Sequence, residues 1–251
     1  MPAEMEGYSN LYLNTITSGG ERNYTIAYDK SKYTTYWVAY PLNSKHMGSL
    51  SRPDSWSFDP NFDSKYQVDL CGASYTTYNN GAGHARGHLI PNASRNGIKD
   101  MQLQTFYVTN SAPQIQNSFN DGIWSALEAA LQSIAKKEEI YIVSGTALQS
   151  VGGNETITYT KAKNDTKSVP VPNYFYKVVL KVEKSGSTVT SAKAIGFWFE
   201  NKAYSNTAYS TYEVSVDEIE KKTGMDFFVN LPDAIENVAE SNSSWSSFQS
   251  F

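Results

Sequence analysis

The chain has 251 residues, of which 40% are hydrophobic and 18% are charged. This length suffices for one large domain or two small ones, and the composition is too apolar for a disordered protein. The formal net charge of −4 argues against nucleic-acid binding through overall charge, although a local cluster of Arg and Lys could still bind phosphate.

The single cysteine, Cys71, excludes an intramolecular disulfide and a cysteine-rich zinc site. A lone cysteine is usually a small core residue, and we favour that interpretation here over a reactive thiol. Residues 1–10 have neither the basic nor the apolar stretch of a signal peptide. No apolar run reaches the roughly 18 residues that a membrane span needs, so we predict no membrane span.

The first half of the chain is predicted to be rich in strands and loops. Residues 33–40 combine Thr, Tyr, Trp and Val in the manner of a strand. A polar, proline-containing connection is predicted over 43–65, and a loop rich in Asn, Gly, Thr and Tyr over 74–83. Alternating residues over 101–109 predict a further strand.

The clearest helix comes next, because apolar residues recur there at helical spacing. These residues are Ile123, Trp124, Leu127, Leu131 and Ile134. A strand is predicted over 139–143, and residues 174–182 and 190–199 are predicted to form a β-hairpin.

The C-terminal part is predicted to contain a short helix over 216–222, with Gly224 as its C-terminal cap, and a Ser-rich, frayed tail over 240–249. No linker divides the chain. We therefore predict one α+β domain over 1–251, with a central antiparallel sheet flanked by helices. Its core is expected at about 24–235, and both terminal segments are expected to be peripheral.

A histidine-containing segment is the first candidate site. Two of the three histidines, His84 and His88, lie in the glycine-flanked stretch 83–92. Histidine is suited to general-base chemistry near neutral pH, and Arg86 offers a bidentate donor for phosphate oxygens. Gly87 is expected to let the backbone approach a substrate. Alone, an Arg-Gly-His tripeptide is more often a surface or structural element than a catalytic one.

A second group of residues follows at regular spacing. Asn120, Trp124 and Glu128 lie four residues apart, which places them on neighbouring rows of a helix. An Asn carbonyl oxygen is a hard ligand suited to Mg²⁺. The alternative interpretation makes Asn120 a helix N-cap or first-turn residue, Trp124 a core residue and Glu128 a solvated charge.

Two weaker candidates lie outside these groups. His46, beside Lys45, is predicted to be solvated in a loop. Arg95 follows the histidine segment closely, and the sequence leaves open whether it contacts phosphate or is a surface charge.

Together the two groups resemble the DNA/RNA non-specific endonucleases, the family of the Serratia nuclease and endonuclease G, which has a ββα-metal active site. The family's Asp-Arg-Gly-His motif corresponds to residues 85–88. Its N-x-x-P-Q motif corresponds to 110–114, and its N-x-x-x-W-x-x-L-E motif to 120–128. The resemblance covers roughly residues 37–232 and implies a sequence-nonspecific endonuclease that hydrolyses DNA and RNA.

The resemblance also implies roles for the matching residues. His88 would be the general base that deprotonates the attacking water. Asn120 would be the direct protein ligand of Mg²⁺, for which Mn²⁺ could substitute. Glu128 would hold water molecules around the metal.

Other matching residues would act on the phosphate or support the site. Arg52 and Arg86 would neutralise phosphate charge, and Asn110 would support the active site. Arg95 is a further candidate for substrate binding. Because members of the family in bacteria are commonly exported, the resemblance implies a secreted or periplasmic protein.

Two departures from the family pattern bear on function. Ala85 replaces the family Asp, and the gap between Gln114 and Asn120 is one residue longer than expected. Two alternatives therefore stand beside the nuclease hypothesis: a catalytically impaired homologue that binds nucleic acid, and a secreted β-rich glycan-binding module. The sequence leaves open a homodimer and the identity of any inhibitor protein.

Overall fold

The computed structural model describes Pro2 and residues 10–250. Its strands are β1 (Leu11–Ser18), β2 (Glu21–Asp29), β3 (Thr34–Leu42), β4 (His84–His88), β5 (Ser111–Ile115), β6 (Ile140–Ala147), β7 (Thr158–Thr160), β8 (Val169–Val171), β9 (Tyr174–Ser185), β10 (Thr188–Glu200) and β11 (Glu213–Val214). Its α-helices are α1 (Lys99–Gln104), α2 (Ser125–Ala135), α3 (Val216–Thr223), α4 (Asp233–Glu240) and α5 (Trp245–Gln249).

A seven-stranded antiparallel sheet forms the centre of the molecule, in the order β1-β2-β3-β6-β9-β10-β11. Its middle strands are long and rich in Val, Ile and aromatic residues, which suit a pleated surface buried on both sides. The predicted α+β fold with a central antiparallel sheet is confirmed.

The alternation of β10 divides the core between the two faces of this sheet. Ile195, Phe197 and Phe199 belong to a cluster that contains the apolar stripe of α2. Ala192 and Ala194 belong to a second cluster, which contains residues of α3 and α4. Helices therefore cover both faces, as a sheet that is apolar on both sides requires.

Local signals predicted the β9–β10 hairpin and helix α3 well. The predicted hairpin is β9 and β10, joined by a turn in which Gly186 has φ +63°. Helix α3 begins after Ser215, whose hydroxyl accepts a hydrogen bond from the Glu218 amide at 3.1 Å. It ends at Gly224, which has φ +70°, so the predicted C-terminal cap is also confirmed.

The prediction of a strand over 101–109 is wrong. This stretch contains most of α1 and a short 3₁₀ turn, Val108–Asn110. Asn23 donates a hydrogen bond to the Met101 carbonyl, and Tyr24 donates one to the Gln104 carbonyl. Side chains of β2 thus satisfy this backbone, and tertiary contacts override the alternating pattern.

The prediction of a frayed tail is also wrong. Helix α5 buries Trp245 and Phe248 against the first core cluster. At the other end of the chain, Ile16 is 1% exposed and belongs to the same cluster. The core therefore extends beyond the predicted bounds of about 24–235 at both ends.

A smaller unit lies beside the large sheet. Strands β4 and β5 form a separate antiparallel ribbon, which is followed by an irregular helical segment, Gln116–Trp124, and then by α2. Asn201 fastens this ribbon to the end of β10: its side chain accepts from the Ile115 amide at 2.9 Å and donates to the Pro113 carbonyl at 3.0 Å. The result is a strand-strand-helix unit.

None of the helices within the described part of the chain combines the length and the apolar character required to cross a bilayer.

Candidate active site

The β4–β5 ribbon determines where the histidine motif lies. His88 pairs with Ser111 at one end of the ribbon, and Ala85 pairs with Gln114 towards the other. A Cβ at Gly87 would lie 2.4 Å from Oε1 of Gln114. A side chain here would collide with Gln114, which accounts for the glycine. The approach of a substrate to this backbone stays a prediction.

The ribbon, the segment after it and α2 enclose a cleft of about 400 Å³. Five of the predicted site residues line it: Arg52, Arg86, His88, Asn120 and Glu128. They come from three separate parts of the sequence, so the fold brings them together. Ala85, Trp56, Tyr78 and Gln116 also line the cleft.

The His88 ring lies between two aromatic side chains. Its centroid is 4.7 Å from that of Trp56 and 5.0 Å from that of Phe106. Burial, followed by the positive charges of Arg52 and Arg86, lowers the pKa of His88 to about 3. The ring is therefore neutral at physiological pH, and its Nε2 atom has no hydrogen-bond partner among the described residues.

The two arginines of the cleft are held by the same aromatic cluster. The Arg86 guanidinium lies 4.7 Å from the Trp56 ring centroid and donates to the Leu70 carbonyl at 2.9 Å. The Arg52 guanidinium lies 4.9 Å from the Phe106 ring centroid, and the residue is exposed. Stacking on aromatic rings fixes the direction of a guanidinium while its remaining donors stay free for an anion.

Asn110 lies behind the cleft and does not line it. Its amide nitrogen donates to the carbonyls of Ile90 (3.0 Å) and Thr105 (2.8 Å), and its Oδ1 accepts from the Ile90 amide at 3.0 Å. The two bonds to Ile90 fix the backbone just after His88, and the third ties it to Thr105. Asn110 therefore positions the histidine segment from within the protein.

Asn120 lies within the irregular segment before α2 and does not cap that helix. Its amide nitrogen donates to Oε1 of Gln116 at 2.8 Å. Since the nitrogen is used in this way, Oδ1 is the atom that can face a cation. Two residues of this segment, Ser118 with φ +64° and Gly122 with ψ −108°, break the helical geometry around Asn120.

Glu128 is paired with a lysine that the sequence interpretation did not assign. Its Oε1 lies 3.4 Å from Nζ of Lys177, whose side chain is fully buried. Lys177 also donates to the Ser144 hydroxyl at 3.1 Å, and its Nζ lies 4.1 Å from the Trp124 ring centroid. Burial raises the pKa of Glu128, and Lys177 opposes this shift. Glu128 is therefore not the solvated charge of the alternative interpretation.

Arg95 is not part of the cleft, and the surface-charge interpretation is wrong. It is fully buried. Its guanidinium donates to the side chain and carbonyl of Asn23 at 2.6 and 2.9 Å, and to the carbonyls of Pro41 and Ser94 at 2.8 Å each. These bonds occupy all three guanidinium nitrogens, so the structure does not support phosphate binding by Arg95.

The remaining histidines and the cysteine also differ from one another. His46 is buried rather than solvated: its Nδ1 accepts from the Asn43 amide at 3.2 Å, and burial lowers its pKa to about 4. Nδ1 of His84 lies 2.9 Å from the Thr77 hydroxyl, and His84 does not line the cleft. Cys71 is half-buried, and burial raises the pKa of its thiol, as expected for an unreactive residue.

Ala85, which replaces the Asp of the family motif, lies opposite unpaired polar atoms of Gln114. It is 8% exposed, and both polar atoms of its cross-strand partner, Gln114, are buried without a hydrogen-bond partner among the described residues. A carboxylate at position 85 would lie opposite this amide in the register. Ala85 itself offers this amide no hydrogen-bond partner.

A neutral histidine, two arginines and side-chain oxygens line one cleft, and these are groups that a hydrolase for phosphodiesters uses. The comparison with known families gives the same result. The chain belongs to the DNA/RNA non-specific endonuclease family, whose model matches residues 9–234. The protein is accordingly a nuclease acting on DNA and RNA.

Individual relatives extend over most of the chain. It is 30% identical over 226 residues to a nuclease of Nostoc sp., covering 88% of this chain and 76% of that protein. It is 26% identical over 246 residues to a nuclease of Serratia marcescens, covering 92% and 85%. A solved structure titled as an EndoG/EndoGI complex has a TM-score of 0.70 at 22% identity, covering 89% of this chain and 88% of that one, and therefore shares its fold.

Proposed function

We propose that the protein is a Mg²⁺-dependent, sequence-nonspecific endonuclease in which His88 is the general base. The single observation that carries this proposal is the unpaired Nε2 of His88 in a cleft that also contains Arg86, Asn120 and Glu128. An unpaired acceptor on a neutral imidazole is what a general base requires.

The electrostatics of the cleft support a base that becomes stronger when substrate binds. In the free protein, burial and the charges of Arg52 and Arg86 lower the pKa of His88. A bound phosphate is an anion that offsets the two guanidinium charges, which favours protonation of the ring. The base is thus neutral before binding and better able to take a proton afterwards.

The oxygen donors of the cleft fit a hard divalent cation. Asn120 offers Oδ1, and Glu128, whose Oε1 pairs with Lys177, brings a carboxylate to the same cleft. Mg²⁺ takes oxygen ligands, retains several waters and uses few protein ligands, so one amide and one nearby carboxylate suffice. When bound, Mg²⁺ would neutralise charge on the phosphate and on the leaving oxygen.

The chain's own groups account for the remaining steps. Arg52 and Arg86 bind non-bridging phosphate oxygens and stabilise the added negative charge of the transition state. Nε2 of His88 accepts a proton from water as its oxygen attacks phosphorus. The bond from phosphorus to the leaving oxygen breaks, and solvent supplies that oxygen with a proton.

The nature of these contacts supports sequence-nonspecific cleavage. Phosphate contacts carry no sequence information, and both DNA and RNA present the same phosphodiester. Tyr78, half-buried at the cleft, is the kind of side chain on which a base of any identity can stack.

The wider biology is proposed from the relatives. We place the protein outside the cytoplasm, secreted or periplasmic, because an unrestricted nuclease endangers the genome beside it. The solved EndoG/EndoGI complex concerns inhibition of EndoG. We extend from it the proposal that a protein inhibitor regulates this nuclease. A homodimer is a separate proposal.

The test is digestion of supercoiled plasmid and single-stranded RNA with Mg²⁺, alongside EDTA and the His88→Ala variant. His84→Ala is the matched control, because His84 lies on the same strand outside the cleft. We expect wild type and His84→Ala to cut both substrates, EDTA to abolish cutting, and His88→Ala to slow it by about 10²–10⁴-fold. Wild type that binds nucleic acid yet cuts neither substrate, even with Mn²⁺, would establish the impaired-homologue alternative. Glycan binding without cleavage would establish the binding module.

A further inference from the structure

A group of carboxylates lies between α3 and α4. Asp217 and Glu220 are three residues apart on α3 and so share one face of that helix, and Glu240 is the last residue of α4. One oxygen from each of these three side chains lies within 4.8 Å of the other two. None of the three residues lines the active-site cleft.

Glu240 distinguishes this group from an ordinary acidic surface. It is only 5% exposed, and its Oε1 is buried without a hydrogen-bond partner among the described residues. Burying an unpaired carboxylate is costly unless the group is neutralised, paired or bound to a metal. The side chain nevertheless converges with those of Asp217 and Glu220.

The described residues around this group add negative charge, and none of their cations forms an ion pair with it. No ion pair within residues 10–250 links the three carboxylates to a lysine or arginine. Asp226 and Glu236 are close enough to act on Glu240 through their charge. Burial, followed by the neighbouring carboxylates, raises the pKa of Glu240 to about 8. The group therefore lacks a positive charge at its centre.

We propose that Asp217, Glu220 and Glu240 bind a divalent cation of the size of Ca²⁺, which joins α3 to α4. Ca²⁺, the larger ion, accommodates many carboxylate oxygens in a flexible shell, whereas Mg²⁺ usually binds proteins through only about one or two carboxylates. Three convergent carboxylates therefore fit the larger ion.

The local structure is consistent with a structural cation. Oε1 of Glu220 accepts the Phe227 amide at 2.8 Å, which orients that carboxylate. Helices α3 and α4 both pack against β10, so an ion between them would link two helices that lie side by side on the same strand. Ca²⁺ takes 6–8 oxygens, and the second carboxylate oxygens and water complete such a shell.

The experiment is thermal unfolding of the EDTA-treated full chain, titrated with Ca²⁺ or Mg²⁺. It uses wild type, Glu240→Gln and Asn120→Ala, the last to remove the amide ligand proposed for the nuclease site. We expect Ca²⁺ at 100 times its Kd to raise the Tm of wild type and Asn120→Ala by roughly 5–10 °C. Mg²⁺ should raise it less, and Glu240→Gln should abolish the Ca²⁺ response.

Glu218→Gln is the matched control, because it removes a carboxylate of α3 outside the group and should keep the Ca²⁺ response. Asp217→Asn serves if Glu240→Gln does not fold, and it should weaken the response. The proposal is overturned if Ca²⁺ leaves the Tm of Asn120→Ala unchanged, or if Glu240→Gln responds like wild type. Mg²⁺ matching Ca²⁺ would overturn the assignment of ion size. Plasmid cleavage is not the readout, so failure of the nuclease proposal is distinguishable.

Discussion

Two buried glutamates on opposite faces of the sheet have opposite surroundings. Glu128, on the α2 side, lies 3.4 Å from the buried ammonium of Lys177. Glu240, on the α3–α4 side, lies among other carboxylates with no cation from the described chain. Burial raises the pKa of both.

The difference shows how the same desolvation cost can be offset in two ways. Lys177 is built into β9, so the position of its charge is fixed by the fold. At Glu240 the offset must come from a proton or from a bound ion, and so it depends on the solution. We expect the first site to be insensitive to Ca²⁺ and the second to depend on it.

The largest expected difference between the cleft and the Glu240 region is in the effect of substitutions on kcat. Replacing His88 with Ala removes the proposed general base, and kcat is expected to fall by about 10²–10⁴-fold. Glu240→Gln should leave kcat unchanged, because Glu240 does not line the cleft. Steady-state cleavage of plasmid with Mg²⁺ measures both. A comparable loss in the two variants would contradict the separation.

Removing Lys177 should leave Glu128 without a neighbouring positive charge, as Glu240 already is among the described residues. In Lys177→Met, Glu128 is left buried without its counter-charge, and unfolding by urea should show a loss of about 3–5 kcal/mol. Adding Glu128→Gln should recover part of this loss, since the unpaired charge is then gone. If the loss of unfolding free energy in the double mutant equals the sum of the two single-mutant losses, the two side chains do not interact.

The same substitution at the two glutamates provides a matched pair. Glu128→Gln is expected to lower kcat by about 10–100-fold, because the carboxylate would no longer orient groups around the cation. Glu240→Gln should keep wild-type kcat and instead lose the Ca²⁺-dependent rise in Tm. If both variants lose activity equally, Glu240 acts on the cleft after all.

The pH dependence of stability should sharpen the comparison further. The pKa of Glu240 is about 8 in the folded chain, against an ordinary value of 4.5. The folded state then holds a proton that the unfolded state releases, so this contribution to stability is full below about pH 4.5 and is lost as pH rises through about 8. Without Ca²⁺, Tm should fall from pH 5 to pH 8 more steeply in wild type than in Glu240→Gln. Equal slopes would show that Glu240 does not titrate in this window.

The smallest effect is expected at Ala85. Restoring the family carboxylate with Ala85→Asp would give the unpaired amide of Gln114 an acceptor. We expect kcat to rise by less than about 10-fold, the lower end of what general acid–base and supporting groups contribute. Ala85→Asn is the control, because it adds polarity without charge. If kcat falls in Ala85→Asp and not in Ala85→Asn, the added negative charge at this position hinders catalysis.

Local signals explain which parts of this structure could be predicted. The β9–β10 hairpin and the Gly224 cap were predictable because a turn and a left-handed residue carry their own sequence preference. Helix α5 was missed because serines hide the spacing of Trp245 and Phe248, which bury one face.

The site was predictable only where its residues form a motif. His88 and the pattern from Asn120 to Glu128 could be identified because their spacing is local. Lys177 could not be assigned, because it lies on a strand far along the chain and no spacing rule links it to Glu128. A lysine among the apolar residues of β9 was the only available signal.

Arg95 has a consequence for any mutational scan of this protein. It contacts neither the cleft nor solvent, yet it links the backbones of Asn23, Pro41 and Ser94 through one guanidinium. A screen scored on nuclease activity alone would rank Arg95 beside His88. A parallel score of soluble protein abundance would separate them, with Arg95 variants depleted from the soluble fraction and His88 variants retained. In such a two-score map, Arg95 would be grouped with the core residues.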